Sequence, residues 1–280
     1  MFTYDRLEEI EPDLEPRPGM RQRPSSDSQL NDLKERLNPA LRGRLPWRWR
    51  KKVRDWQNRD HVLMLRVHHG FFLSMGVDGW ARFKEAIYLL MKDPELVRKT
   101  MMIQGRFAGE LAERVLRDVE IDAVLFSEPI ASNHGPLISP KMYEDLVLPS
   151  YEPVLEVLNR YGVKTIIFRS FANPRLLLPS ILKWGFNCLR AFEVNSKEMD
   201  YRDLRREFGR DLRLIGGIDL DALRSDRETI RREMEEKVPS LLADGGYIPL
   251  VDGRVREDIP FENYAYYRGL LEKVIQGGRG

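Results

Sequence analysis

The feature that most constrains this chain is an alternation that starts near residue 61. Short β-type runs at 62–67, 122–126, 164–168, 187–192, 212–216 and 246–251 are separated by longer amphipathic stretches at 79–101, 104–117, 140–161, 174–184, 201–208, 225–243 and 261–275. Several runs are almost wholly apolar, as strands covered on both faces must be. Ser139-Pro140, Asn173-Pro174 and Ile259-Pro260 open helices, and Gly162, Gly185, Gly209 and Gly245 close them. Strands alternating with helices give right-handed βαβ units and a parallel sheet. A doubly wound sheet would carry a glycine-rich phosphate turn after its first strand. The sequence there is His68-His69-Gly70-Phe71-Phe72-Leu73, which lacks that spacing. The expected fold class is therefore α/β, a (β/α)8 TIM-type barrel. Only six runs are legible where eight are needed, so either the polar first 60 residues hide the opening strands or the barrel is shortened or incomplete at its N-terminus.

Residues 1–60 are of another kind and read as a polar, partly irregular extension before a barrel over 61–280. An acidic opening (Asp5, Glu8, Glu9, Glu11, Asp13, Glu15) passes through a Pro/Ser-rich stretch to a basic, aromatic segment, 44–56. That segment reads as a helix start whose tryptophans pack and whose charges face water. The chain has 46 Lys+Arg against 44 Asp+Glu, a formal charge of only +2, which argues against a dedicated nucleic-acid binder. No apolar stretch approaches the roughly 20 residues of a membrane span, so neither nucleic acid nor membrane is expected as a partner. The acidic opening does not read as a secretory signal. Cys188 is the one cysteine, which excludes an intrachain disulfide and a multi-cysteine zinc site and fits a cytoplasmic location. It reads as buried and inert.

In a parallel barrel the chemistry collects at the C-terminal strand ends. Here those ends bring Arg66, His68 and His69, then Ser127 and Glu128, Arg169 and Ser170, Glu193, Asp219, and Asp252 with Arg254. Carboxylates and guanidinium groups at one rim describe a site for a polar, anionic small molecule. Glu128, Asp219 and His68 are the candidate catalytic groups; Arg66, Arg169, Glu193, Asp252 and Arg254 are the candidate substrate contacts. Asp219 has a competing reading as a helix N-cap, and Arg169 one as the ion-pair partner of Glu128 or Glu193. No His or Cys pair has metal-ligand spacing, so no metal ligand is assigned. Ser132-Asn133-His134 lies on a loop, but without a nucleophile elbow a serine hydrolase is not expected.

The segments 92–97 (KDPELV), 135–140 (GPLISP), 215–219 (IGGID), 245–248 (GGYI) and 258–263 (DIPFEN) resemble, in order and spacing, the uroporphyrinogen decarboxylase superfamily, which includes cobalamin-dependent methyltransferases. The resemblance covers about 62–275 and implies a (β/α)8 barrel, a site at its C-terminal mouth and a possible homodimer. It implies a decarboxylase that needs no cofactor and acts on a tetrapyrrole or pyrrole carboxylate. Its alternatives are a methyltransferase serving a corrinoid or a corrinoid protein, and a barrel that binds a ligand without turnover. The methyltransferase branch places a His-x-Cys-Gly-Asn motif where this chain has Arg169, Phe171, Ala172 and Asn173, and a further Cys near Asp252, so zinc is not expected. Residues 18–23 only faintly echo the decarboxylases' arginine motif.

Overall fold

The computed structural model describes residues 7–17, 24, 26–193 and 197–277. Residues 18–23, where the arginine-motif echo falls, lie outside them. Seven parallel strands form one curled sheet: β1 (Leu7–Ile10), β2 (Val62–His68), β3 (Ala123–Ser127), β6 (Ile166–Phe171), β7 (Cys188–Phe192), β8 (Arg213–Ile218) and β9 (Tyr247–Val251), paired in that order. A small antiparallel pair, β4 (Ala131–Ser132) and β5 (Gly135–Pro136), lies in the loop after β3. The sheet is an incomplete barrel: β1 and β9 are its two edges, and no pairing joins them among the described residues.

The six runs read from the sequence are β2, β3, β6, β7, β8 and β9, each within two or three residues of its expected bounds. The seventh strand lies in the segment read as an extension. Leu7–Ile10 is four residues long and half acidic, yet it pairs with β2 from Leu7 against Val62 to Ile10 against Leu65.

Local chemistry explains the helix boundaries. The stretch expected over 79–101 breaks at Asp93, whose carboxylate accepts from the Leu96 backbone N–H at 3.0 Å while Pro94 occupies the first helical turn. The helix so capped, Pro94–Leu116, runs through the expected boundary at 101–104 and packs along the segment 148–160. Gly105 and Gly109 allow that approach, since a Cβ on Gly105 would fall 1.7 Å from the Ser150 carbonyl oxygen. The helix expected over 140–161 is irregular: π-type over Tyr143–Val147, 3₁₀ over Leu148–Tyr151, and regular only over Glu152–Arg160.

The two faces of the sheet are packed differently. The helix-covered outer face holds the main core, including Leu63, Leu65, Phe126, Phe168, Leu189 and Leu214. The inner face carries a small apolar layer of Met64, Ala123, Leu125, Ile167 and Cys188, flanked by Val62 and Ile215. Burial pushes the Cys188 thiol up to about 12, which keeps it unreactive at neutral pH. Among the described residues no helix is long and apolar enough to cross a membrane.

Candidate active site

Strand parity builds the site. Side chains alternate between faces along a strand, so two residues beyond Met64, Leu125, Ile167 and Cys188 the inner face presents Arg66, Ser127, Arg169 and Arg190. The registers agree: Ser127 lies opposite Arg169, and Arg169 opposite Arg190. One step further come Phe171 and Phe192, also paired, with ring centroids 5.7 Å apart. From base to rim the inner face thus passes from aliphatic to cationic to aromatic.

Charge pairing is uneven in the cationic layer. Arg66 is held by two carboxylates of the first strand and its exit, with Nε donating to Glu9 at 2.9 Å and Nη2 to Glu11 at 2.7 Å. Arg169 has one side-chain hydrogen bond, Nη2 to the Ser127 hydroxyl at 2.9 Å, and its Nε is buried without a partner among the described residues. Arg190 is 7% exposed, stacks its guanidinium 4.8 Å above the Phe192 ring, and also buries an unpartnered Nε. Burial lowers the pKa of Arg169; Arg66 and Arg190 lower it further, while Glu9 and Glu11 raise it. An unsatisfied buried cation is costly. Buried Arg190 beside half-buried Arg169 makes the local field one that an anion would relieve.

Glu128 and His68 sit elsewhere. A register shift between Arg66 and His68 places His68 opposite Phe126, on the helix-covered side, where it packs against the Phe126 and Tyr151 rings. Glu128 is fully buried beside it. Its Oε1 accepts from the Phe71 backbone N–H at 2.9 Å, and its Oε2 from the Tyr143 hydroxyl at 3.2 Å and from the Tyr151 hydroxyl. Burial pushes the Glu128 carboxyl up to about 7 against the opposing pull of these three donors. Gly70 makes the arrangement possible: its φ of +86° suits glycine, and a Cβ there would lie 2.7 Å from the Glu128 carboxylate and 2.5 Å from the Ser127 carbonyl oxygen. The His68 Nδ1 accepts from the Gly70 N–H at 2.9 Å, which puts the proton of the neutral ring on Nε2. Burial, and then His69, hold His68 well below its ordinary range.

The other expected site residues gather at the ends of β7, β8 and β9. Asp219 caps the helix Leu220–Arg224, accepting from the Asp221 N–H at 2.8 Å. Asp252 is buried and accepts from the Leu220 N–H at 3.1 Å. Glu193 is exposed, adopts a φ of +52°, and donates its N–H to the Asp252 carbonyl oxygen at 2.6 Å. Arg254 is exposed on the loop after β9. The inner-face cluster thus joins Arg66 and Arg169 from the expected set. It also takes in Ser127, one of the expected strand-end groups, and adds Glu9, Glu11, Arg190, Phe171 and Phe192, which were not among the expected site residues. A signal existed for Arg190, a lone cation inside the apolar run CLRAF, two residues beyond an inward cysteine.

The comparisons with known proteins follow from this geometry. The family model described as uroporphyrinogen decarboxylase (URO-D) matches residues 74–267. The chain belongs to that family. Among solved structures, a methyltransferase from Methanosarcina mazei is similar, with a TM-score of 0.58 and 16% identity over 80% of this chain and 62% of that one. The likeness is one of fold, and this chain spans less than two thirds of that protein's length. No curated protein sequence matches the chain. The family barrel is thus present here in a seven-stranded form.

The zinc of the methyltransferase branch does not fit these residues. No group of three His, Cys, Asp or Glu side chains converges among the described residues, and the end of β6 carries the half-buried cation Arg169 beside Arg190, a field that repels a metal ion.

Proposed function

We propose that this chain is a decarboxylase-like enzyme of the uroporphyrinogen decarboxylase family, acting on a pyrrole-type carboxylate at the inner-face mouth of the sheet. The observation that carries the reading is the pair Arg169 and Arg190 on adjacent strands, the first half-buried and the second buried, each with a buried, unpartnered Nε beneath an aromatic rim. A carboxylate would take the free N–H groups, and a flat ring would lie against Phe171, which is 38% exposed.

The chemistry asks little more of the protein. The bond from the ring's methylene carbon to the carboxylate breaks, carbon dioxide leaves, the electron pair enters the protonated ring, and a proton from the open rim replaces the lost group. Negative charge near the ring stabilises its protonated form. Glu9 and Glu11 supply that charge on the inner face, with Arg66 holding both in place. Glu128 and His68 act from beneath, by fixing the β2 and β3 exits on which Arg66 and Ser127 are carried. Methyl transfer would require an activating group for a thiol or corrinoid, and the donor set offers none. The lone buried Cys188 suits a cytoplasmic setting.

The test is to incubate the full chain with uroporphyrinogen and with single-ring pyrrole acids, following binding and carbon dioxide release. Binding with release, both lost in Arg169→Gln, is the expected result. Binding without release would assign a ligand-binding barrel, and the absence of both would end the proposal.

A further inference from the structure

The segment 42–54 (RGRLPWRWRKKVR) carries seven basic residues and no acidic one in a chain whose net charge is +2. It precedes the part matched by the family model, which begins at residue 74. The structure divides these charges by role. Arg44 is fully buried, bonded to backbone carbonyls of Asp13, Glu15, Arg36 and Asn38 and stacked 4.7 Å over Phe107, so it staples the N-terminal segment to the helix Pro94–Leu116. Lys52 pairs with Glu8 at 3.5 Å. Trp56 is buried, and Trp49 packs edge-on against it at 5.5 Å. The sequence reading of packed tryptophans therefore holds for Trp49 and Trp56.

Trp47 is different. It is 76% exposed, with Arg48 stacked 4.0 Å over one ring face, and Leu41 nearby in sequence is also exposed. Arg42, Arg48, Arg50, Lys51 and Arg54 are exposed and have no carboxylate partner among the described residues; Asp55, on the same helix, pairs with none of them. Arg50, Lys51 and Lys52 occupy the first turn of the helix Trp49–Gln57, which has no acidic residue there. Cations at that end oppose the helix dipole, so the chain holds them against a local electrostatic cost. An opposing anionic surface removes that cost.

We propose that this face docks on an anionic lipid surface. Solvent-facing cations and a protruding tryptophan are what a headgroup layer accommodates, charge against phosphate and indole at the interfacial depth. The helix spans only about 13 Å, a footprint of a few lipids and too short to track a nucleic-acid strand, and one face of the Trp47 ring is already covered. The contact proposed is a peripheral one, made by side chains of this face alone.

The experiment is co-sedimentation of the full chain with vesicles of phosphatidylcholine alone and of phosphatidylcholine mixed with phosphatidylglycerol, at low and high salt. Retention on the anionic vesicles only, released by salt, is expected. The double variant Arg50→Glu/Lys51→Glu should lose roughly tenfold or more in partitioning, and Trp47→Ala should lose several-fold together with the lipid-induced shift of tryptophan emission. A control reversal of two charges in other helices, Lys183→Glu/Lys273→Glu, should leave retention unchanged. No retention, equal retention on neutral vesicles, equal loss in the control, or binding to duplex nucleic acid in place of vesicles would overturn the proposal.

Discussion

The outer face at the β2 and β3 exits and the inner face across β6 and β7 carry two polar clusters, and they solve opposite problems. On the outer face, Glu128 is fully buried and its carboxylate receives three donors, with Gly70 shaped to admit it. On the inner face, half-buried Arg169 and buried Arg190 each keep a buried Nε without a partner among the described residues. In the first cluster the Glu128 carboxylate is satisfied and ties the strand exits to the irregular helix 143–151, while the His68 Nε2 beside it is buried without a partner among the described residues. The second keeps guanidinium N–H groups that an added anion would take, and on this the proposed binding site rests. Ionisable side chains at strand ends are thus no guide to chemistry until the face is known.

The sharpest way to break this contrast is at Gly70. Gly70→Ala forces a left-handed Cβ against the Ser127 carbonyl oxygen and Glu128, and should cost about 4 kcal/mol in a denaturant titration. Whatever folds should bind ligand with unchanged affinity. If affinity falls instead and stability holds, the outer cluster belongs to the site.

Next in size is the pH dependence of Glu128. Its folded pKa of about 7 lies above the ordinary carboxyl value of 4.5, so the folded state holds the proton more tightly. The stability this confers is full below pH 4.5, is lost as pH rises toward 7, and stays lost above, an amplitude of about 3 kcal/mol. Glu128→Gln should flatten that window, as read from urea midpoints across pH. A slope that survives the substitution would assign the titration to another group.

Arg169→Gln should act the other way. Removing a half-buried, partly unpaired cation should leave the thermal midpoint unchanged or raise it slightly, while ligand affinity drops by about 2 kcal/mol, some thirtyfold. A destabilised variant with intact affinity would make Arg169 a structural residue. The smallest effect is expected at Asp219, where Ala removes a helix cap worth about 1 kcal/mol and should not alter binding.

Much of the architecture was legible because it is local. Apolar runs such as VLMLR and AVLFS, punctuated by Pro and Gly, place six of the seven strands among the described residues, whereas the helix start at Asp93-Pro94 fell inside the stretch expected over 79–101 although its cap chemistry needs no tertiary partner. Leu7–Ile10 was not legible, because four residues with two glutamates have no strand signature; they become a strand by pairing with β2, and Glu9 has a role only because Arg66 is waiting there. Arg190 was hidden inside an apolar run for a related reason, since an inward cation looks like an interruption until its neighbours on β6 are known.

The sequence by itself determined the alternation of strands and helices, the parallel order it implies, the family, and the set of ionisable groups that strand ends would present. Tertiary structure decided which face received each of them. A single register shift before His68 turned the β2 exit toward the helices, while parity kept Arg66, Ser127, Arg169 and Arg190 on the inner side. Backbone periodicity is a property of neighbours along the chain. Facing is a property of pairing between strands separated by dozens of residues, and only the folded sheet sets it.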